Sequence, residues 1–162
     1  MPTHIAFLRG INVGGHKQLS MATVKSTFEQ LGFDNVRTLL NSGNVIFEAA
    51  QPNAKKIEAA IGMDVRVILR TPKDLERVIE RNPFPNVEPG KLVVVFLEGE
   101  PKGELEWDGP EEVKAAGTHL YIHYPDGQGR SKLTNALIER RLKVAATARN
   151  WNTVTKLAHP KG

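Results

Sequence analysis

A chain of 162 residues, 40% of them hydrophobic, can bury roughly two thirds of its unfolded surface, enough for one core or two small ones. Its 22 basic and 18 acidic residues give a formal charge of +4, which favours anionic partners weakly and falls short of a dedicated nucleic-acid binder. The absence of cysteine excludes disulfides and thiolate chemistry, and Met1-Pro2-Thr3-His4 lacks the features of a signal peptide, so a cytoplasmic protein is expected. Its longest apolar run, Leu92 to Leu97, is far below the roughly 20 residues that span a bilayer, so no membrane partner is expected.

Ile5 to Leu8 reads as a strand buried on both faces, and it runs into the glycine loop Arg9-Gly10-Ile11-Asn12-Val13-Gly14-Gly15. Ser20 suits the N-cap of a helix whose apolar positions Met21, Val24, Phe28 and Leu31 step by three and four, with Gly32 following as a C-terminal stop. Val36 to Leu40 and Asn44 to Glu48 read as a hairpin around Asn41-Ser42-Gly43. Pro52 opens a second helix with Ile57, Ala60 and Ile61 on its face, Gly62 ends it, and the alternation from Val65 to Arg70 gives a fourth strand. The order β-α-β-β-α-β is that of a ferredoxin-like unit, in which two helices cover one face of an antiparallel sheet.

Thr71-Pro72-Lys73-Asp74 combines a cap, a first-turn proline and a first-turn acid, and starts a connecting helix with Leu75, Val78 and Ile79 inward. Asn82-Pro83-Phe84-Pro85 stops that helix, and a strand follows from Lys91 to Leu97. Glu98, Glu100, Glu104, Glu106 and Asp108 then read as solvated carboxylates. Val113 to Ala116 and His119 to Tyr124 form a hairpin around Gly117, followed by a second glycine loop, Pro125 to Arg130. Ser131 is expected to cap a helix carrying Leu133, Leu137 and Ile138, before a short strand from Ala145 to Ala148 and a last helix from about Asn150. The second half echoes the first with its first helix weak or replaced by a loop. The fold class is therefore α+β: two ferredoxin-like, βαββαβ-type subdomains, the second degenerate. Residues 1–70 form the first, 71–90 a connecting helix and linker, and 91–162 the second with a C-terminal helix.

Three segments carry candidate chemistry. In the first loop, Gly10, Gly14 and Gly15 expose backbone N–H groups beside Arg9, Asn12, His16 and Lys17, which suits an anion. Gly10 and Gly15 have the spacing of a phosphate-loop pair, but His16 and Lys17 stand where Lys and Ser or Thr are required, so nucleotide hydrolysis of that kind is not expected. A tight packed turn is the competing reading. In the second, Arg130, Ser131 and Lys132 at a helix start form another anion cradle. In the third, Arg149 would meet a carboxylate or phosphate and Trp151 would stack on a ring, with Asn150 and Asn152 beside them. The alternative is that Asn150 caps the last helix, with Trp151, Val154 and Ala158 docking it and Arg149 and Asn152 as its polar fringe. His119 and His123 share a strand face at roughly 13 Å, too far apart to ligate one metal, so with Tyr121 they read as an exposed or lightly packed face. No metal site and no cofactor is expected.

Leu8-Arg9-Gly10-Ile11-Asn12-Val13-Gly14-Gly15, Met21, Leu31-Gly32-Phe33, Val36, Thr38 and Ser42-Gly43-Asn44-Val45 resemble the bacterial proteins grouped as domain of unknown function 1697. The likeness continues through Asn82-Pro83-Phe84, Ser131-Lys132-Leu133 and the run from Ala146 to Val154. It implies an α+β fold of two ferredoxin-like halves and no activity. It also implies a clearer helix after Lys91 to Leu97 than Pro101, Gly103, Gly109 and Pro110 permit here. On the residues alone the leading expectation is binding of an anionic ligand, a phosphorylated metabolite or single-stranded nucleic acid. Arg9, Asn12, Gly14, Gly15, Lys17, Ser131, Lys132, Arg149, Asn150, Trp151 and Asn152 are the candidate contacts. An enzyme acting on a small phosphorylated or carboxylated molecule, and an interaction module without a small-molecule site, stand beside it.

Overall fold

A computed structural model describes residues 2–9, 20–39, 43–62 and 65–159. The chain divides into two compact units, Met1–Leu75 with Leu157–Gly162, and Glu76–Lys156.

The first unit contains β1 (Thr3–Arg9), α1 (Met21–Gln30), β2 (Asp34–Leu39), β3 (Asn44–Glu48), α2 (Ala54–Ile61) and β4 (Arg66–Arg70). Its antiparallel sheet has the order β2-β3-β1-β4, which is the ferredoxin-like arrangement. Ser20 caps α1 by accepting from the Thr23 N–H at 3.1 Å, and Gly32 turns the chain out of the helix at φ 88. Asn53, not Pro52, caps α2: its side chain accepts from the Lys56 N–H at 3.1 Å. The turn residues Asn41 and Ser42 lie outside the described residues. Met21, Val24, Phe28 and Ile57 meet Ala6, Leu8, Val45 and Phe47 in one core. Burying each of these large side chains contributes about 1.5–3 kcal/mol. The opposite face is buried too, at Ile5, Phe7, Ile46 and Ile68, so all four residues from Ile5 to Leu8 are inside as the unbroken apolar run predicts.

Next come α3 (Pro72–Glu80), a single 3-10 turn at Pro89–Lys91, β5 (Leu92–Leu97), β6 (Glu112–Ala116), β7 (His119–His123), a 3-10 turn at Gln128–Arg130, α4 (Asn135–Leu142), β8 (Ala146–Asn150) and α5 (Trp151–Ala158). The second sheet runs β6-β7-β5-β8, again antiparallel. It repeats the first unit with one helix missing: residues 98–111 connect β5 to β6 without one. That segment is anchored. The Lys102 N–H donates to the Leu142 carbonyl at the end of α4 (2.8 Å), Leu105 and Trp107 pack against the core, and Gly103 lies so close to the Arg141 carbonyl that a Cβ would collide with it.

Two expectations about this half are corrected. Ser131 does not cap α4. Leu133 is drawn into the core in a non-helical conformation, so the helix starts later, where Thr134 accepts from the Leu137 N–H at 3.2 Å. The face carrying His119, Tyr121 and His123 is not lightly packed. Tyr121 is buried and its hydroxyl donates to the Val78 carbonyl at 2.7 Å, while Phe84 meets His123 with ring centroids 6.2 Å apart.

The three strands β3-β1-β4 and β7-β5-β8 match residue by residue. The registers make Ile5, Ile46 and Arg70 of the first sheet equivalent to Val94, Tyr121 and Arg149 of the second. Bonds beyond the strands repeat as well. Leu8 N–H donates to Gly43 O at 2.8 Å and Leu97 N–H to Thr118 O at 2.9 Å; Ala49 N–H donates to Pro2 O at 3.1 Å and Tyr124 N–H to Lys91 O at 2.8 Å. In α2, Glu58 accepts from the Val67 N–H at 2.8 Å, and in α4, Glu139 accepts from the Ala146 N–H at 2.7 Å. Gly62 and Lys143 close these helices in the same left-handed conformation. Lys143 is not a glycine, so the repeated geometry there costs backbone strain of about 1 kcal/mol.

Candidate anion site at the start of the last helix

Arg149 occupies the fourth position of β8 and only 9% of it is exposed. Antiparallel pairing sets it opposite Val94, two residues from Thr147 on the same face of the sheet. Its guanidinium donates to the Thr147 hydroxyl at 2.5 Å and to the Ala148 carbonyl at 2.8 Å. Burial pushes the group down to about 10, because the charged form loses hydration. One residue further on, Asn150 caps α5 by accepting from the Thr153 N–H at 2.9 Å. The strand that carries this buried arginine thus runs directly into the positive end of a helix dipole. Trp151 is half-buried, Asn152 is exposed, and Thr147 and Thr153 are buried. Arg149 is therefore an interior group and not part of a polar fringe.

The first unit has the same device with one difference. Arg70 is the counterpart of Arg149 and donates to the carbonyl of the preceding residue, Leu69, at 2.9 Å. Thr71 caps α3 by accepting from the Asp74 N–H at 3.1 Å, as Asn150 does for Thr153. Asp74 is the added element: its carboxylate accepts from the Thr71 N–H at 2.9 Å and completes a capping box. Burial lowers the Arg70 group, and the Asp74 charge partly restores it. In the second unit Thr153 stands at the Asp74 position.

Asn12, Gly14, Gly15 and Lys17 lie outside the described residues. Arg9 ends β1 in the first unit and is half-buried. Lys132 is exposed. Ser131 is engaged by the chain itself: its hydroxyl donates to Glu111 at 2.6 Å and accepts from the Leu133 N–H at 2.9 Å. The other oxygen of Glu111 accepts from the Trp107 indole at 2.7 Å, and these bonds hold that carboxyl below its ordinary value. The glycine loop before α4 therefore leads to a carboxylate clasp and not to a helix start. This clasp was invisible in the sequence, because Glu111 and Ser131 are joined only once the 98–111 segment folds back. Arg149, Asn150, Trp151 and Asn152 are brought together by their own strand and helix. Among the described residues no group of three His, Asp or Glu side chains is placed to hold a metal, and no helix is long and apolar enough to cross a membrane.

Residues 1–123 match a family model described as protein of unknown function (DUF1697). The stretch from Tyr124 onward, with Arg149, lies beyond the matched part. No curated protein matches the chain. Among solved structures, the conserved bacterial protein SP0830 from Streptococcus pneumoniae is similar over 96% of this chain and 96% of its own, at 20% identity with a TM-score of 0.67. At that identity the likeness carries the fold alone.

Proposed function

The chain belongs to the DUF1697 family of proteins of unknown function, and on that premise we propose that it binds a small anionic ligand at the β8–α5 junction of its second unit. The observation that carries the reading is the Asp74-to-Thr153 difference between two otherwise matching stations. In the first unit the chain supplies the anion for Arg70 and the α3 start. In the second, the equivalent position of the α5 start holds the Thr153 hydroxyl in place of a carboxylate, and on that difference a phosphate or carboxylate of a ligand is the complementary group for this helix start. Because Arg149 shows only an edge to solvent, a compact terminal anion suits it better than a polymer backbone. Base stacking has less support. Both tryptophans are half-buried, and among the described residues Leu31 is the exposed large hydrophobic.

The test is titration with inorganic phosphate, read by calorimetry and by thermal unfolding, on the natural chain and on Thr153→Asp. Phosphate at ten times its Kd should stabilise the natural chain by about 1.4 kcal/mol. Thr153→Asp should stay folded and no longer respond, because the new carboxylate takes the position at N3 that Asp74 holds in the first unit. Equal responses of the two proteins, or no binding by the natural chain, would overturn the proposal. Since phosphate also stabilises proteins by exclusion from their surface, the difference between the two proteins is the decisive quantity.

A further inference from the structure

The two sheets differ at the edge strand that each hairpin contributes. β2 is broken by a register shift between Asp34 and Arg37, and Asn35 takes φ 48 there. Such a bulge twists an edge away from other strands. β6 carries no such bulge. It pairs with β7 in unbroken register from Glu112↔His123 to Ala116↔His119, and Glu112, Lys114 and Ala115 are exposed. Alternate backbone N–H and C=O groups of this strand point away from β7, as in any sheet edge.

We propose that β6 pairs antiparallel with β6 of a second copy of this chain, joining two four-stranded sheets across a two-fold axis at Val113. The occupant follows from the charge pattern. Directly opposed residues in an antiparallel pair must be of the same hydrogen-bonding type, which confines the axis to a residue position. An axis at Lys114 sets that lysine against itself. An axis at Val113 sets Glu112 against Lys114 of the second copy, twice, on the face that also carries His123 and Tyr121. The Glu112 side chain is 63% exposed and its 3.4 Å contact with His123 leaves it accessible. Pro110, which has no N–H to give, ends the ladder on one side, and the Gly117 turn ends it on the other. The contact is short, so the dimer is weak and concentration-dependent.

Sedimentation equilibrium across a concentration series tests this on three proteins: the natural chain, Lys114→Glu, and the charge swap Glu112→Lys with Lys114→Glu. All the changes are at exposed positions, and circular dichroism checks that the fold is kept. Lys114→Glu faces glutamate with glutamate at both symmetry-related sites and should raise the dimer Kd about tenfold. The swap restores opposite charges and should return Kd to near its natural value. A natural chain that stays monomeric at its highest soluble concentration overturns the proposal. So does a dimer that ignores Lys114→Glu, or one that the swap leaves as weak as the single variant.

Discussion

The strand-to-helix junctions Arg70–Asp74 and Arg149–Thr153 share an arginine directly before a side-chain helix cap, yet differ in the third helical residue, Asp74 in one and Thr153 in the other. The first is electrostatically closed, with Asp74 bonded to the cap residue. The second buries its arginine more deeply and has the buried Thr153 where the first has the acid. At these junctions the two copies of one scaffold thus differ in side chains and not in backbone. The same holds one strand away: Tyr121 and Tyr124 of the second unit replace Ile46 and Ala49 of the first, exchanging plain apolar packing for hydroxyls that donate to Val78 and Leu133 carbonyls.

The strongest way to break this comparison is to truncate the matched phenylalanines. Phe7 and Phe96 sit at equivalent positions in the central strands of the two sheets, and both are fully buried. Phe7→Ala and Phe96→Ala should each destabilise the protein by about 3–5 kcal/mol in denaturant unfolding. A cost for one that is a small fraction of the other would mean that the two faces are not packed alike.

A smaller effect separates the units by pH. The chain has two tyrosines, both in the second unit, and burial raises both hydroxyls, Tyr124 to about 12 with Glu111 adding to the rise. Their neutral form is favoured in the folded state. Tyr124 therefore contributes stability that is fully present below the unfolded value of about 10 and is lost as pH rises through about 12, and Tyr121 acts in the same sense. Ultraviolet titration should show clearly less phenolate at pH 10 than free tyrosine, which is half-ionised there. A normal tyrosine titration there would remove the distinction between Tyr124 and a surface residue.

Most of the fold was legible because local signals and topology agreed. Ser20 with the Met21–Phe28 stripe, Gly62 and the alternation through Arg70 each placed an element, and the β-α-β-β-α-β order then fixed the sheet. What escaped were features made by distant residues. The end of α4 anchors Lys102 and Gly103, Glu111 takes Ser131, and Val78 takes the Tyr121 hydroxyl; no periodicity announces such pairs. Arg149 stands out by its neighbours in sequence, but its burial is set by the tertiary fold, which no local signal carries. The internal match could have revealed its counterpart Arg70, because an arginine directly before a helix cap occurs in both halves.

The smallest expected effect addresses the comparison most directly, by making the first junction resemble the second. Asp74→Thr removes the carboxylate that accepts from the Thr71 N–H and leaves Arg70 and the cap in place. Loss of half a capping box and of an acid at a helix start should cost about 1 kcal/mol. If the arginine and helix start form a general anion station that Asp74 fills from within, added phosphate should recover part of that loss, beyond what it gives the natural chain. The same phosphate titration on Asp74→Asn then separates charge from shape, because asparagine keeps an acceptor for the Thr71 N–H while leaving Arg70 without that charge. Recovery in both variants assigns the station to charge. Recovery in neither means that Asp74 acts only as a cap, and the Thr153 position in the second unit would then be an ordinary capping variation.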